Sequence, residues 1–198
     1  MKVTILIATL GLFIALCSPA STHFEEQASK PQTETVKPQA VPKPVEIVEK
    51  IRSEVLQSSL SELGFGKRDA QAKAFVVLME TGYPEGLATL FSLRDGDASL
   101  YLGNGGGIIG GRSHEKVRKA AIDFVKESEK HLSALKSTKE FPYPSVGQVK
   151  FYVRTRDGVL TAEADENELG EGKHPLSPLF YAGHEVLTQL RLISEGQK

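Results

Sequence analysis

The stretch SLYLGNGGGIIGGRSHEKVRKAA, residues 99 to 121, places six glycines in the nine positions from Gly103 to Gly111. Glycine reaches positive φ without strain and lets backbone N–H groups come close to a ligand, and the start of a helix favours an anion. Gly105, Gly107 and Gly110 match the spacing of a dinucleotide fingerprint. Gly106 to Ser113, GGIIGGRS, matches a phosphate loop except that Arg112 stands where lysine is required. The surroundings deny both. The segment before the loop reads as the second arm of a hairpin, and about 20 residues on, where an acid should follow a parallel strand, Glu129 and Lys130 fall inside a helical pattern. A planar guanidinium does not replace the compact lysine ammonium. Two readings remain. The glycines serve the turn, with Ile108 and Ile109 tucked into the core, or the amides of Gly105, Gly106 and Gly107 join Arg112, Ser113 and His114 in a small-anion or carboxylate site with Tyr83 as a neighbour.

Other candidate chemistry is thinner. His114-Glu115 and His184-Glu185 resemble half of a zinc-protease motif, but Arg118 and Thr188 stand where the second histidine would be. No Gly-x-Ser-x-Gly elbow occurs, and Ser177 before Pro178 reads as a helix cap. Glu163, Asp165, Glu166 and Glu168, followed by Gly170 and Gly172, lack the ligand alternation of a calcium loop and read as a solvated strand end and loop. His131 reads as a helix-flank residue and His174, beside Pro175, as a loop residue. Glu80, near the end of an apolar run, is the acid whose burial would matter. These residues assign no catalytic group, metal or cofactor, and a hydrolase using His114 and Glu115 is the weaker alternative.

Composition narrows the classes. A net charge of −1 and a pI near 6.5 give no general attraction to nucleic acid. Cys17 is the single cysteine and lies in the N-terminal apolar run, so the remainder forms no internal disulfide and no thiolate metal site. Lys2 precedes the uncharged run Val3 to Cys17, and Ser18 and Ala20 fit the small-residue rule for cleavage after Ala20. A cleaved secretory signal over residues 1–20 is the first reading and an uncleaved signal-anchor the second. A lipoprotein through Cys17 is disfavoured by Leu16. Each exports the rest of the chain to the cell envelope, periplasmic or otherwise extracytoplasmic, or secretes it, and leaves membrane contact to residues 3–20 alone. Residues 21–44, with prolines at 31, 38, 42 and 44 and few large apolar side chains, read as a disordered or extended tether.

Residues 45–198 read as one globular domain. An apolar stripe at Val48, Ile51, Val55, Leu56, Leu60 and Leu63 predicts a helix from Val45 to Leu63, with Gly64 as its C-terminal cap. Ala74 to Thr81 is a continuous apolar run of strand length. Asp95-Gly96 joins strands at Leu87–Leu93 and Ala98–Leu102, and Asp157-Gly158 joins a second alternating pair. In that pair Lys150, Tyr152 and Arg154 read as the solvent face opposite Val149, Phe151 and Val153. Helices are predicted at Glu115–Leu135 and from Ser177 to Ile193. The fold class is α+β, with a five-stranded, mainly antiparallel sheet covered on one side, and helices before, between and after the two strand groups.

That element order resembles the profilin-like and roadblock or longin class of small domains, a resemblance that implies a non-catalytic interaction module. METGYPEG at 79 to 86 and SLYLGNGGGIIGG at 99 to 111 are similar to stretches in a group of uncharacterised bacterial proteins. The expectation is an exported binding module that meets a protein partner or a second copy, by strand-edge pairing, with a small-ligand domain using residues 103–113 as the alternative.

Overall fold

A computed structural model describes residues 39–66 and 69–196. The segments expected as a signal and, up to Pro38, as a tether lie outside the described residues, Cys17 among them. Gln39 to Pro44, expected within the tether, lie against the domain: Ala40 forms an antiparallel bridge with Ser145, and the Val146 N–H donates to the Gln39 carbonyl at 2.9 Å. Among the described residues no helix is long and apolar enough to cross a membrane.

The chain runs α1 (Glu46–Gln57), β1 (Val76–Tyr83), β2 (Gly86–Leu93), β3 (Ala98–Leu102), β4 (Gly107–Ile108), α2 (Glu115–Lys130), β5 (Lys136–Thr138), β6 (Gln148–Thr155), β7 (Gly158–Asp165), α3 (Glu166–Gly170) and α4 (Ser177–Gly196). The fold is α+β with an antiparallel sheet. That sheet has seven strands, in the order β4-β3-β2-β1-β6-β7-β5, where five were expected. The two additions are its edges, β4 of 2 residues and β5 of 3. Neither is long enough to show alternation, and β5 is the polar run Lys-Ser-Thr.

The apolar run at the centre is explained by burial on both faces. Val77 and Met79 of β1 pack with Phe151 and Val153 of β6 under α2 and α4, in a core that includes Phe124, Leu179, Val186 and Leu190. Val76 and Leu78 point the other way, into a second cluster with Phe75, Phe91, Tyr152 and Leu56 of α1. The one-sided sheet is therefore corrected to one covered on both faces. Lys150, Tyr152 and Arg154, expected in solvent, are 7 %, 0 % and 9 % exposed, Tyr152 and Arg154 against α1 and its C-terminal end and Lys150 beside β7. Each finds a polar partner there, as burial requires. The Tyr152 hydroxyl donates to the Pro142 carbonyl at 2.6 Å, Lys150 pairs with Glu163 at 2.8 Å, and the Arg154 guanidinium donates to the carbonyls of Leu56 and Ser58. The Arg154 bonds satisfy carbonyls freed at the end of α1.

Helix ends also differ from expectation. α1 stops at Gln57, because Ser58 is extended and Ser59 starts a separate turn that it closes reciprocally with Glu62. α2 stops at Lys130, and a 3-10 turn at Leu132–Ala134 leads into β5. The acidic stretch after β7 is a short helix, α3, whose cap Asp165 accepts from Asn167 and Glu168 N–H groups at 2.9 and 3.1 Å. Ser177 lies inside α4 and its hydroxyl accepts from the His174 N–H at 3.3 Å.

Candidate functional site

The glycine loop is a hairpin followed by a helix start. β3 ends at Leu102, the chain reverses through Gly103 to Gly106, and β4 pairs back with Leu100 opposite Ile108 and Tyr101 opposite Gly107. Two glycines are required by space. A Cβ on Gly107 would lie 2.2 Å from the Leu100 carbonyl oxygen, and one on Gly111 would lie 2.4 Å from Val117 Cγ1, where the loop meets α2. Gly110, at φ 84°, then turns the chain into the 3-10 segment Gly111–Ser113.

The amides that could face an anion are largely engaged. Gly103 N–H donates to Leu87 at 2.7 Å, Gly105 N–H to Leu102 at 2.9 Å, and Gly106 N–H to the Asn104 side chain at 3.0 Å. The loop is also anchored from outside, since Val45 N–H donates to the Gly103 carbonyl at 2.9 Å. Apolar side chains are displayed instead. Ile109, expected in the core, is 69 % exposed and Leu102 is 38 % exposed, whereas Ile108 packs against the α2–α4 core.

The remaining candidates separate onto two sides of this loop. Arg112 forms an exposed ion pair with Asp95 of the β2–β3 turn at 2.8 Å. The Ser113 hydroxyl donates to the Gly110 carbonyl at 3.4 Å. His114 is the backbone cap of α2, and among the described residues no group bonds to its ring. It lines a depression of about 210 Å³ with Ile109 and Ile193. Tyr83 lies at the other side, in a depression of about 180 Å³ with Leu102 and Gly103. Its hydroxyl donates to Glu166 at 3.1 Å, and burial together with that carboxylate pushes its pKa up to about 12. Tyr83 is thus near Gly103 but shares no cavity with Arg112, Ser113 or His114.

Glu80 is fully buried, and its partner was not anticipated. Arg52 of α1 reaches it with two bonds, Nε to Oε1 at 2.6 Å and Nη2 to Oε2 at 2.8 Å, and the Thr89 hydroxyl adds a third at 3.3 Å. The guanidinium also lies 4.5 Å from the Tyr143 ring centroid and 5.3 Å from that of Tyr152. One signal was available in the sequence: Arg52 is four residues from both Val48 and Leu56, on the apolar stripe itself. His184 of α4 is a further, partly buried titratable residue. Its ring lies against Phe180, and burial pulls its pKa below the usual value despite the nearby Glu166 charge. Among the described residues no three metal-ligating side chains converge.

The fold and loop define a two-faced antiparallel α+β domain with a glycine hairpin at one sheet edge, flanked by the exposed side chains of Leu102 and Ile109. Comparison with protein-family models, with curated proteins and with solved structures gives no match to the chain.

Proposed function

We propose that this chain is an exported binding module of the cell envelope that recognises a protein partner through the glycine hairpin and the surface beside it. The observation that carries this reading is the division of labour in the loop. The N–H groups of Gly103, Gly105 and Gly106 are bonded within the fold, while Ile109 and Leu102 project apolar surface from a backbone that glycine packing holds in place. An anion site needs the reverse arrangement. Enclosing one such side chain in a partner is worth about 1.5–3 kcal/mol, and a held loop loses little entropy on binding. The two edge strands, β4 of 2 residues and β5 of 3, are too short to offer much backbone for pairing with a second copy. Export rests on Lys2 and the Val3 to Cys17 run.

The test is a photo-cross-linking residue placed at Ile109 in the full chain, in living cells, with a second variant carrying it at Ser137 on the opposite sheet edge. Adducts with a defined protein from Ile109 and none from Ser137 are expected. Equal adducts from both positions, or none from Ile109, would refute the proposal.

A further inference from the structure

At the edge of the sheet opposite the glycine loop, β5 covers only part of β7. Lys136 pairs with Thr161, Ser137 with Leu160 and Thr138 with Val159, and among the described residues no strand pairs with the outer side of Ala162 to Asp165. A cavity of about 470 Å³ opens there, within the size range of small-molecule sites. Its apolar walls are Ala134, Ala162, Pro175 and Leu176. The polar groups that line it come from four separate parts of the chain, Lys136 of β5, Lys150 of β6, Thr161 and Glu163 of β7, and His174 before α4.

Lys150 is the central one. It lies across from Glu80 on one side and Glu163 on the other, and Glu80 is already held by Arg52. The ammonium accordingly pairs with Glu163 at 2.8 Å, its side chain 9 % exposed against 35 % for the carboxylate. A lysine head this withdrawn from water needs an anion, and one carboxylate uses one of its three N–H donors. Lys136, opposite Thr161, adds a second ammonium to the lining. His174 adds a directed donor: its Nδ1 accepts the Leu176 N–H at 3.2 Å, which leaves the proton of the neutral ring on Nε2. The Thr161 hydroxyl is spent on the Phe151 carbonyl at 2.9 Å. Two ammonium groups and an imidazole N–H thus stand against one carboxylate, beside an apolar wall.

We infer that this cavity binds a small organic monoanion, a carboxylate carried on an apolar body. The carboxylate lies between Lys150, Lys136 and the His174 Nε2–H, and the body lies along Pro175 and Leu176. Glu163 holds the net charge of the lining at one positive, which selects a monoanion over a phosphate dianion. The site is independent of the partner surface proposed above, because the two occupy opposite edges of the sheet.

Titration of the full chain with octanoate, followed by amide NMR shifts and calorimetry, tests the inference, with octanol and inorganic phosphate as comparators. Octanoate is expected to shift amides at Lys136, Glu163 and His174, and to bind at least about tenfold more tightly than either comparator, the scale of one charged hydrogen bond. Lys150→Met and Lys136→Gln are each expected to weaken octanoate about tenfold. Lys136 is exposed, so Lys136→Gln leaves the core intact and reads the site even if Lys150→Met fails to fold. Octanol or phosphate binding as well as octanoate, shifts confined to other regions, no octanoate binding, or full affinity in Lys136→Gln would each overturn it.

Discussion

Replacing Arg52 with methionine removes the cation facing Glu80 while keeping an unbranched apolar stem. In the native fold the Glu80 carboxylate is 0 % exposed and takes guanidinium bonds of 2.6 and 2.8 Å; after the change, the Thr89 hydroxyl at 3.3 Å remains. Stranding one member of a buried pair costs about 3–5 kcal/mol. At about 2–4 °C per kcal/mol for a domain of this size, Tm should fall by about 6–20 °C. The double variant Arg52→Met with Glu80→Met removes both charges, and because the desolvation of a buried pair roughly cancels its attraction, it should return to within about 1 kcal/mol of the parent. The assay is urea unfolding followed by far-UV circular dichroism, since the chain has no tryptophan. The same helix ties Val45 to Gly103, so Arg52→Met should also speed hydrogen exchange at Val45 and Gly105. A loss below about 1 kcal/mol in Arg52→Met, or a double variant whose cost is the sum of the two singles, refutes the claim that this pair holds α1 to the sheet.

Gly110→Ala meets no atom within 4 Å and suffers only its positive φ, so about 1–2 kcal/mol of destabilisation is expected. Gly107→Ala drives a Cβ to 2.2 Å from a backbone oxygen and should cost more and expose the Leu100 and Ile108 amides to exchange; equal losses from the two changes would contradict the hairpin described here. His184 titrates in the fold below its ordinary value because burial disfavours the imidazolium, so the native state binds fewer protons than the unfolded chain. Its contribution to stability is complete above the ordinary pKa of about 6.5 and is lost as pH falls through the lower folded value. His184→Leu should flatten the decline in urea midpoint on that acid side, and an unchanged slope would rule the residue out as its source.

Where burial follows local pattern, the sequence was sufficient. The Asp-Gly turns at 96 and 158 marked both hairpins, and β3 falls where alternation put it, at Ala98–Leu102. The α2 stripe of Val117, Ala121, Phe124 and Val125 is buried as its spacing required. Lys150, Tyr152 and Arg154 misled for a physical reason. Alternation says only that they share a face, and whether that face meets water depends on α1, which lies about a hundred residues earlier in the chain. Ile109 misled in the opposite sense, since an apolar residue in a glycine loop reads as core until the hairpin shows it pointing outward.

By itself, then, the sequence determined the α+β class and the strand-to-helix position of the glycines, because period and turn chemistry are local properties. The tertiary structure decided which loop amides are spent, that Glu80 meets Arg52, and that Lys150, Lys136 and His174 line one cavity. Each of these depends on where distant segments come together. A single hydrogen-bond partner supplied from elsewhere in the chain decides whether a polar group is a site or a strut.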